Sequence, residues 1–135
     1  MINKKIIEFQ DMVYQRLHSL TEGVSNCIGT ALYLVGELDH DRYIWKGRNH
    51  RLFRMTPLLE PIPGAIASWN NYKTLSKHMA VVTSVNPLRL VQRYECKGKI
   101  EIDISINNID LVFLKELGDN RTFHLPKKLE VALKR

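Results

Sequence analysis

From Ile2 onward the apolar positions Ile6, Phe9, Val13, Leu17 and Leu20 recur at steps of three and four. That spacing predicts one amphipathic helix of about five turns, with Lys5, Glu8, Asp11 and Gln15 on its wet face and Gly23 at or past its end. A second helix is predicted to start at Ser25 and Asn26, both good N-cap residues, and to run from Cys27 through Val35 to Gly36. It is apolar on nearly every side, so it is expected to be buried between other layers. Residues 39 to 56 are polar and irregular, with Lys46, Arg48, His50, Arg51 and Arg54 among Trp45 and Phe53. They read as a solvated loop or as a basic rim facing a substrate.

Pro57, Pro61, Pro63 and Gly64 then punctuate the chain ahead of a short strand, Ala65 to Trp69, with Asn70-Asn71 as the turn after it. The β-branched run from His78 to Val85, the Asn86-Pro87 turn and the return from Leu88 to Glu95 predict a hairpin. A further strand alternates over Ile100 to Ile104, and apolar segments follow at Ile109–Leu114 and Phe123–Leu125 before a basic end. Helix, helix and then antiparallel strands make an α+β fold in one domain, residues 1–135, with the buried helix packed on the sheet.

Composition narrows the class without naming a function. With 44% hydrophobic and 25% charged residues in 135, the chain is an ordinary globular domain rather than a disordered one. Twenty Lys and Arg against fourteen Asp and Glu leave a net charge of +6, compatible with many anionic partners. No apolar stretch approaches the roughly 18–20 residues that span a bilayer. The segment after Lys4-Lys5 carries Glu8, Gln10 and Asp11, unlike a secretory leader, so a cytoplasmic protein, export by a non-classical route or a processed start are the expectations. Neither a helix-turn-helix nor a zinc finger nor an aromatic RNA-binding strand is visible, which argues against nucleic acid as partner.

The two cysteines, Cys27 and Cys96, lie 69 positions apart, too far for a zinc ribbon or a redox motif. Each thiol therefore has to be read alone. Cys27 falls in the first turn of the predicted buried helix, where unpaired N–H groups and the helix dipole favour the thiolate. Packing as a small apolar residue is the plainer role for such a cysteine. A thiolate nucleophile needs an imidazole, and His78 opens the first strand of the hairpin. If Asn86-Pro87 is a two-residue turn, Val85 faces Leu88, and counting equally along both strands sets His78 opposite Glu95. Such a carboxylate would fix the imidazole tautomer. A bulge or a one-residue slip would bring Gln92 or Tyr94 into that role instead. Cys96, one position past Glu95, would point to the other face and reads as structural.

These pieces resemble the NlpC/P60 and CHAP branch of the papain-like cysteine hydrolases. In that family a cysteine opens a buried helix in an Asp-Cys-Ser-Gly motif, for which this chain has Asn26-Cys27-Ile28-Gly29. A Pro-Gly-Asp strand start ending in an aromatic is matched by Pro63-Gly64-Ala65-Ile66-Ala67-Ser68-Trp69, and a His-Val-Ala-Ile-Val strand by His78-Met79-Ala80-Val81-Val82. The four elements, Glu95 being the last, occur in family order over about residues 25 to 95.

The resemblance implies a papain-like fold in which the nucleophile helix lies on an antiparallel sheet, and a triad of Cys27, His78 and Glu95 with Gln92 as the alternative third member. It also implies oxyanion or substrate contacts from Asn26 and Trp69, and hydrolysis of amides in peptidoglycan peptides through a thioester, with no metal or cofactor. Asn26, Ile28 and Ala65 depart from the motifs, and Ile28 and Ala65 would make the surroundings of the cleft less polar. The same residues could run another acyl transfer or a deamidation on protein or lipid. A non-catalytic binding module on the same fold is the other reading.

Overall fold

A computed structural model describes residues 3–20, 27–41, 55–71, 76–93, 100–105 and 122–135. Two helices come first, α1 (Lys4–His18) and α2 (Cys27–Leu34). Six strands follow, β1 (Thr56–Leu58), β2 (Ile66–Asn71), β3 (Ser76–Val85), β4 (Leu88–Arg93), β5 (Ile100–Ser105) and β6 (Thr122–Leu125), and then α3 (Lys127–Leu133). The class is α+β, as the order of predicted elements implied. The strands form one antiparallel sheet in the order β1-β6-β2-β3-β4-β5.

The α1 stripe behaves as its spacing predicts: Phe9, Val13 and Leu17 are buried, and Asn3 caps the helix by accepting the Lys5 N–H at 2.9 Å. In α2 every residue except Tyr33 is buried. Its end is closed by Gly36 at φ 82°, with the Glu37 N–H donating to Leu32 O at 2.9 Å and the Gly36 N–H to Tyr33 O at 3.1 Å. Arg16 on α1 adds Nη1 bonds to the carbonyls of Tyr33 at 2.8 Å and Leu38 at 2.9 Å, with its guanidinium 4.8 Å from the Tyr33 ring centroid. The first helix thus gives a carbonyl in the last turn of α2 a second donor and ties down the segment that follows.

All three helices lie on one face of the sheet. Ile66, Met79, Val81, Val91 and Leu125 share a core there with Phe9, Leu32 and Leu129. The opposite face carries Ala65, Ala67, Ala80, Val82 and Leu90, each 1% exposed or less. Both faces are therefore dry, which is why β3 reads as a continuous apolar run rather than an alternating one.

The hairpin begins as counted, with Val85 paired to Leu88 and Ser84 to Arg89, but Val82 pairs with Leu90 and Val81 with Val91. Thr83 is an extra residue on β3, a β-bulge that shifts the register by one. Its carbonyl accepts the Gln10 Nε2 of α1 at 2.7 Å, so a helix side chain supplies a partner where the ladder is interrupted. The count that sets His78 opposite Glu95 consequently fails beyond Thr83.

Other expectations need smaller corrections. Asn70 and Asn71 extend β2 and pair with Lys77 and Ser76 rather than turning the chain. The short edge strand β1 and the terminal helix α3 were not predicted. α3 follows Pro126, and its first N–H, from Lys127, donates to Glu37 Oε1 at 3.1 Å. The predicted segment Ile109–Leu114 and most of the polar stretch, residues 42–54, lie outside the described residues.

The turn into β2 depends on Gly64, at φ 94°. A Cβ there would sit 2.8 Å from Phe9 Cδ1 and 3.0 Å from Leu129 Cδ2, so α1 and α3 close over bare backbone. Gly64→Ala combines a left-handed backbone with an overpacked contact and should cost about 2 kcal/mol, lowering Tm by roughly 5–10 °C. An unchanged Tm in thermal unfolding would contradict this placement.

Candidate functional site

β3 and β4 carry the residues that matter for chemistry, and the bulge decides which of them meet. Beyond Thr83 the register continues so that Gln92 falls beside Ala80, on the face that also bears His78 two residues along β3. The side chains do meet: His78 Nε2 lies 2.6 Å from Gln92 Oε1, in a buried hydrogen bond between residues that are 7% and 2% exposed. A carboxamide oxygen only accepts, so Nε2 carries the proton of this bond. Gln92, the alternative third member, is thus a partner of His78. Glu95 itself lies outside the described residues, as do Asn26 and Cys96.

The same shift turns Arg93 and Val91 to the helix side. Arg93 is fully buried, and its Nη2 lies 3.5 Å from Asp41 Oδ2 in the segment after α2. Removing the carboxylate would take a charge partner from a fully buried guanidinium, a destabilising change. The pair therefore ties the chain beyond α2 to the end of β4, next to Gln92. Sequence reasoning missed it. The available signal was a charged residue closing a strand whose other face is also apolar.

Cys27 is the first residue of α2, is 1% exposed and is not in a disulfide. α2 packs over β3 and β4, and Cys27 belongs to the core that contains Met79, Val81 and Val91. His78 pairs in register with Trp69, and next to them Ala80 pairs with Ala67 on the other face of the sheet. Strict alternation therefore sends His78 off β3 on the side away from α2, while Cys27 stands on the helix side. The structure brings His78 and Gln92 together. It places Cys27 at the start of the helix that crosses the same two strands.

An open cavity of about 220 Å³ lies near the other end of α2, lined by Ser19, Leu20, Tyr33, Asp39, His40 and Asp41. It contains none of the residues singled out for catalysis. Among the described residues no cluster of three or more His, Cys, Asp or Glu is arranged to hold a metal, and no helix is long and apolar enough to cross a membrane. No protein family matches the chain, and neither a curated protein nor a solved structure does.

The His78–Gln92 bond makes a direct prediction. Nitrogen-15 NMR of neutral His78 should show the proton on Nε2, and Gln92→Ala should give a mixture of both tautomers, because the acceptor that selects one of them is gone. A wild-type imidazole protonated on Nδ1 would refute the geometry.

Proposed function

We propose that the chain is a papain-like cysteine hydrolase of NlpC/P60 type that cleaves amide bonds, with peptidoglycan peptides as the substrate class. The observation that carries this reading is the buried bond between His78 Nε2 and Gln92 Oε1, in which a carboxamide orients the imidazole. The position of Cys27 in the first turn of a buried helix over β3 and β4 supports it, since the N–H groups there favour a thiolate and an oxyanion. The order of the motifs around Cys27, Gly64, Trp69 and His78 supports it as well.

In this reading Cys27 Sγ attacks the carbonyl carbon, and the Cys27 backbone N–H, with the Asn26 side chain, takes the oxyanion. The C–N bond breaks as His78 gives its proton to the leaving amine. Water then adds to the thioester with His78 as base, releasing the acid and restoring the thiol. Gln92 holds the imidazole edge-on throughout, and Trp69 is a substrate contact. The reading requires Cys27 and His78 to meet around the start of β3, where His78 is the third residue of the strand, whereas alternation along β3 sends His78 to the face away from Cys27.

A non-catalytic binding module is the second reading. The burial of Cys27 in the apolar layer favours it, because a small hydrophobe satisfies that position equally well.

Wild type, Cys27→Ala and Gln92→Ala should be incubated with peptidoglycan fragments and the products weighed. The hydrolase reading expects new products from the wild type, none from Cys27→Ala, and a rate lowered on the order of tenfold by Gln92→Ala, a part of what a positioned acid–base group contributes. Products joined to an added amine or alcohol in place of water would mark an acyl transferase. Cleavage that survives Cys27→Ala would sink the assignment, and wild type inert toward amides would favour the binding module.

A further inference from the structure

We infer that Asp41, in the segment after α2, is a positioning residue for the imidazole: by pairing with Arg93 it selects the hairpin register in which Gln92 meets His78. The inference rests on the His78–Gln92 bond, and its bearing on catalysis rests on the proposed function.

The apolar residues of the hairpin leave the register open. Val81 and Val91 lie in the helix-side core, Val82 and Leu90 in the core of the opposite face, and each is 1% exposed or less. In a hairpin without the bulge at Thr83, the pairing of Val85 with Leu88 would continue to Val82 with Val91, Val81 with Gln92 and Ala80 with Arg93. Leu90 and Val91 would then trade layers, one buried aliphatic side chain for another, which a core tolerates well. Gln92 and Arg93 would trade layers too, and for them the exchange is not neutral. The carboxamide would leave His78 for the apolar layer under α2, and the guanidinium would move to the face of His78, away from Asp41.

Polar contacts therefore make the choice. Among the described residues three of them hold the observed register: Gln10 Nε2 donates to Thr83 O at 2.7 Å, His78 Nε2 to Gln92 Oε1 at 2.6 Å, and Arg93 Nη2 lies 3.5 Å from Asp41 Oδ2. The third is the charged one. Arginine keeps its proton at any ordinary pH, and the Arg93 side chain is 0% exposed, so its carboxylate partner fixes on which side of the sheet it can be buried. Fixing an arrangement is the best-attested use of a buried ion pair, ahead of any gain in stability. Neighbouring side chains on a strand point to opposite faces, so drawing Arg93 to the helix side sends Gln92 to His78. Asp41 thus acts on the imidazole through Arg93 and Gln92.

The test is NMR of the full chain as wild type, Asp41→Glu, the near-isosteric Asp41→Asn, and Asp41→Asn combined with Arg93→Met. The combined variant removes both charges and keeps a flexible apolar side chain in the core, which guards against a failure to fold. Cross-strand proton contacts report the register, and the nitrogen-15 shifts of neutral His78 report its tautomer. Wild type and Asp41→Glu should pair Val81 with Val91 and carry the proton on Nε2. Asp41→Asn and the combined variant should add a second pairing, Val82 with Val91, and lose the single tautomer, with the combined variant doing so at a Tm restored toward that of wild type. A structural role alone would move only Tm. A single register and a single tautomer in the combined variant would overturn the inference. None of these readouts uses Cys27, so the inference and the proposed chemistry fail separately.

Discussion

One residue too many on β3 determines what this sheet can do. The bulge at Thr83 moves β4 by one position against β3, and because side chains alternate, every residue beyond it changes face. Without the shift Arg93 would share the face of His78, and Gln92 would lie under α2. With it, the neutral carboxamide meets the imidazole and the guanidinium goes to the helix side, where Asp41 pairs with it. α1 reaches the bulge through Gln10, which bonds the Thr83 carbonyl, so the helix layer is keyed to the register it covers.

The two faces are stabilised by different means. Among the described residues the helix face is an apolar core closed by three helices and crossed by the ion pair of the buried Arg93 with Asp41. Close approach at Gly64 and Gly36 lets α1 and α3 settle on the sheet and on the end of α2, with Lys128 lying against Gly36. The opposite face is floored by alanines beside a polar pair, Ala67 and Ala80 next to His78 and Gln92. Small side chains beside a buried hydrogen-bonded imidazole leave its position to the bond itself, which is why the partner on β4 matters.

Much of this was legible in the chain. The α1 stripe, the all-round apolar α2 and the hairpin about Asn86-Pro87 follow from periodicity and turn chemistry, and His78 and Gln92 were both recognised as candidates. The bulge was not readable, because Val81, Val82 and Val85 are apolar on both faces of a sheet buried on both sides, and such a pattern is satisfied equally before and after a one-residue slip. The strand β1 is only three residues long and contains Pro57, and α3 spans seven residues, too short for a period to emerge. Asp41 and Arg93 are brought together by the path of the chain after α2, and no spacing rule announces such a pair. Gln10, a polar residue within the predicted α1, showed nothing of its bond to Thr83.

The proposed hydrolysis requires the thiol of Cys27 and the imidazole of His78 to act as one unit around the end of β3, although alternation along the strand sends them to opposite faces of the sheet. The most direct measurement is the NMR titration of His78 in wild type and in Cys27→Ala. Coupling between a thiolate and an imidazolium predicts that removing the thiol lowers the His78 midpoint by a pH unit or more, on the order of the effect of an opposite charge within about 4–6 Å. Identical titration curves in the two proteins would contradict the pair and leave His78–Gln92 as a structural bond.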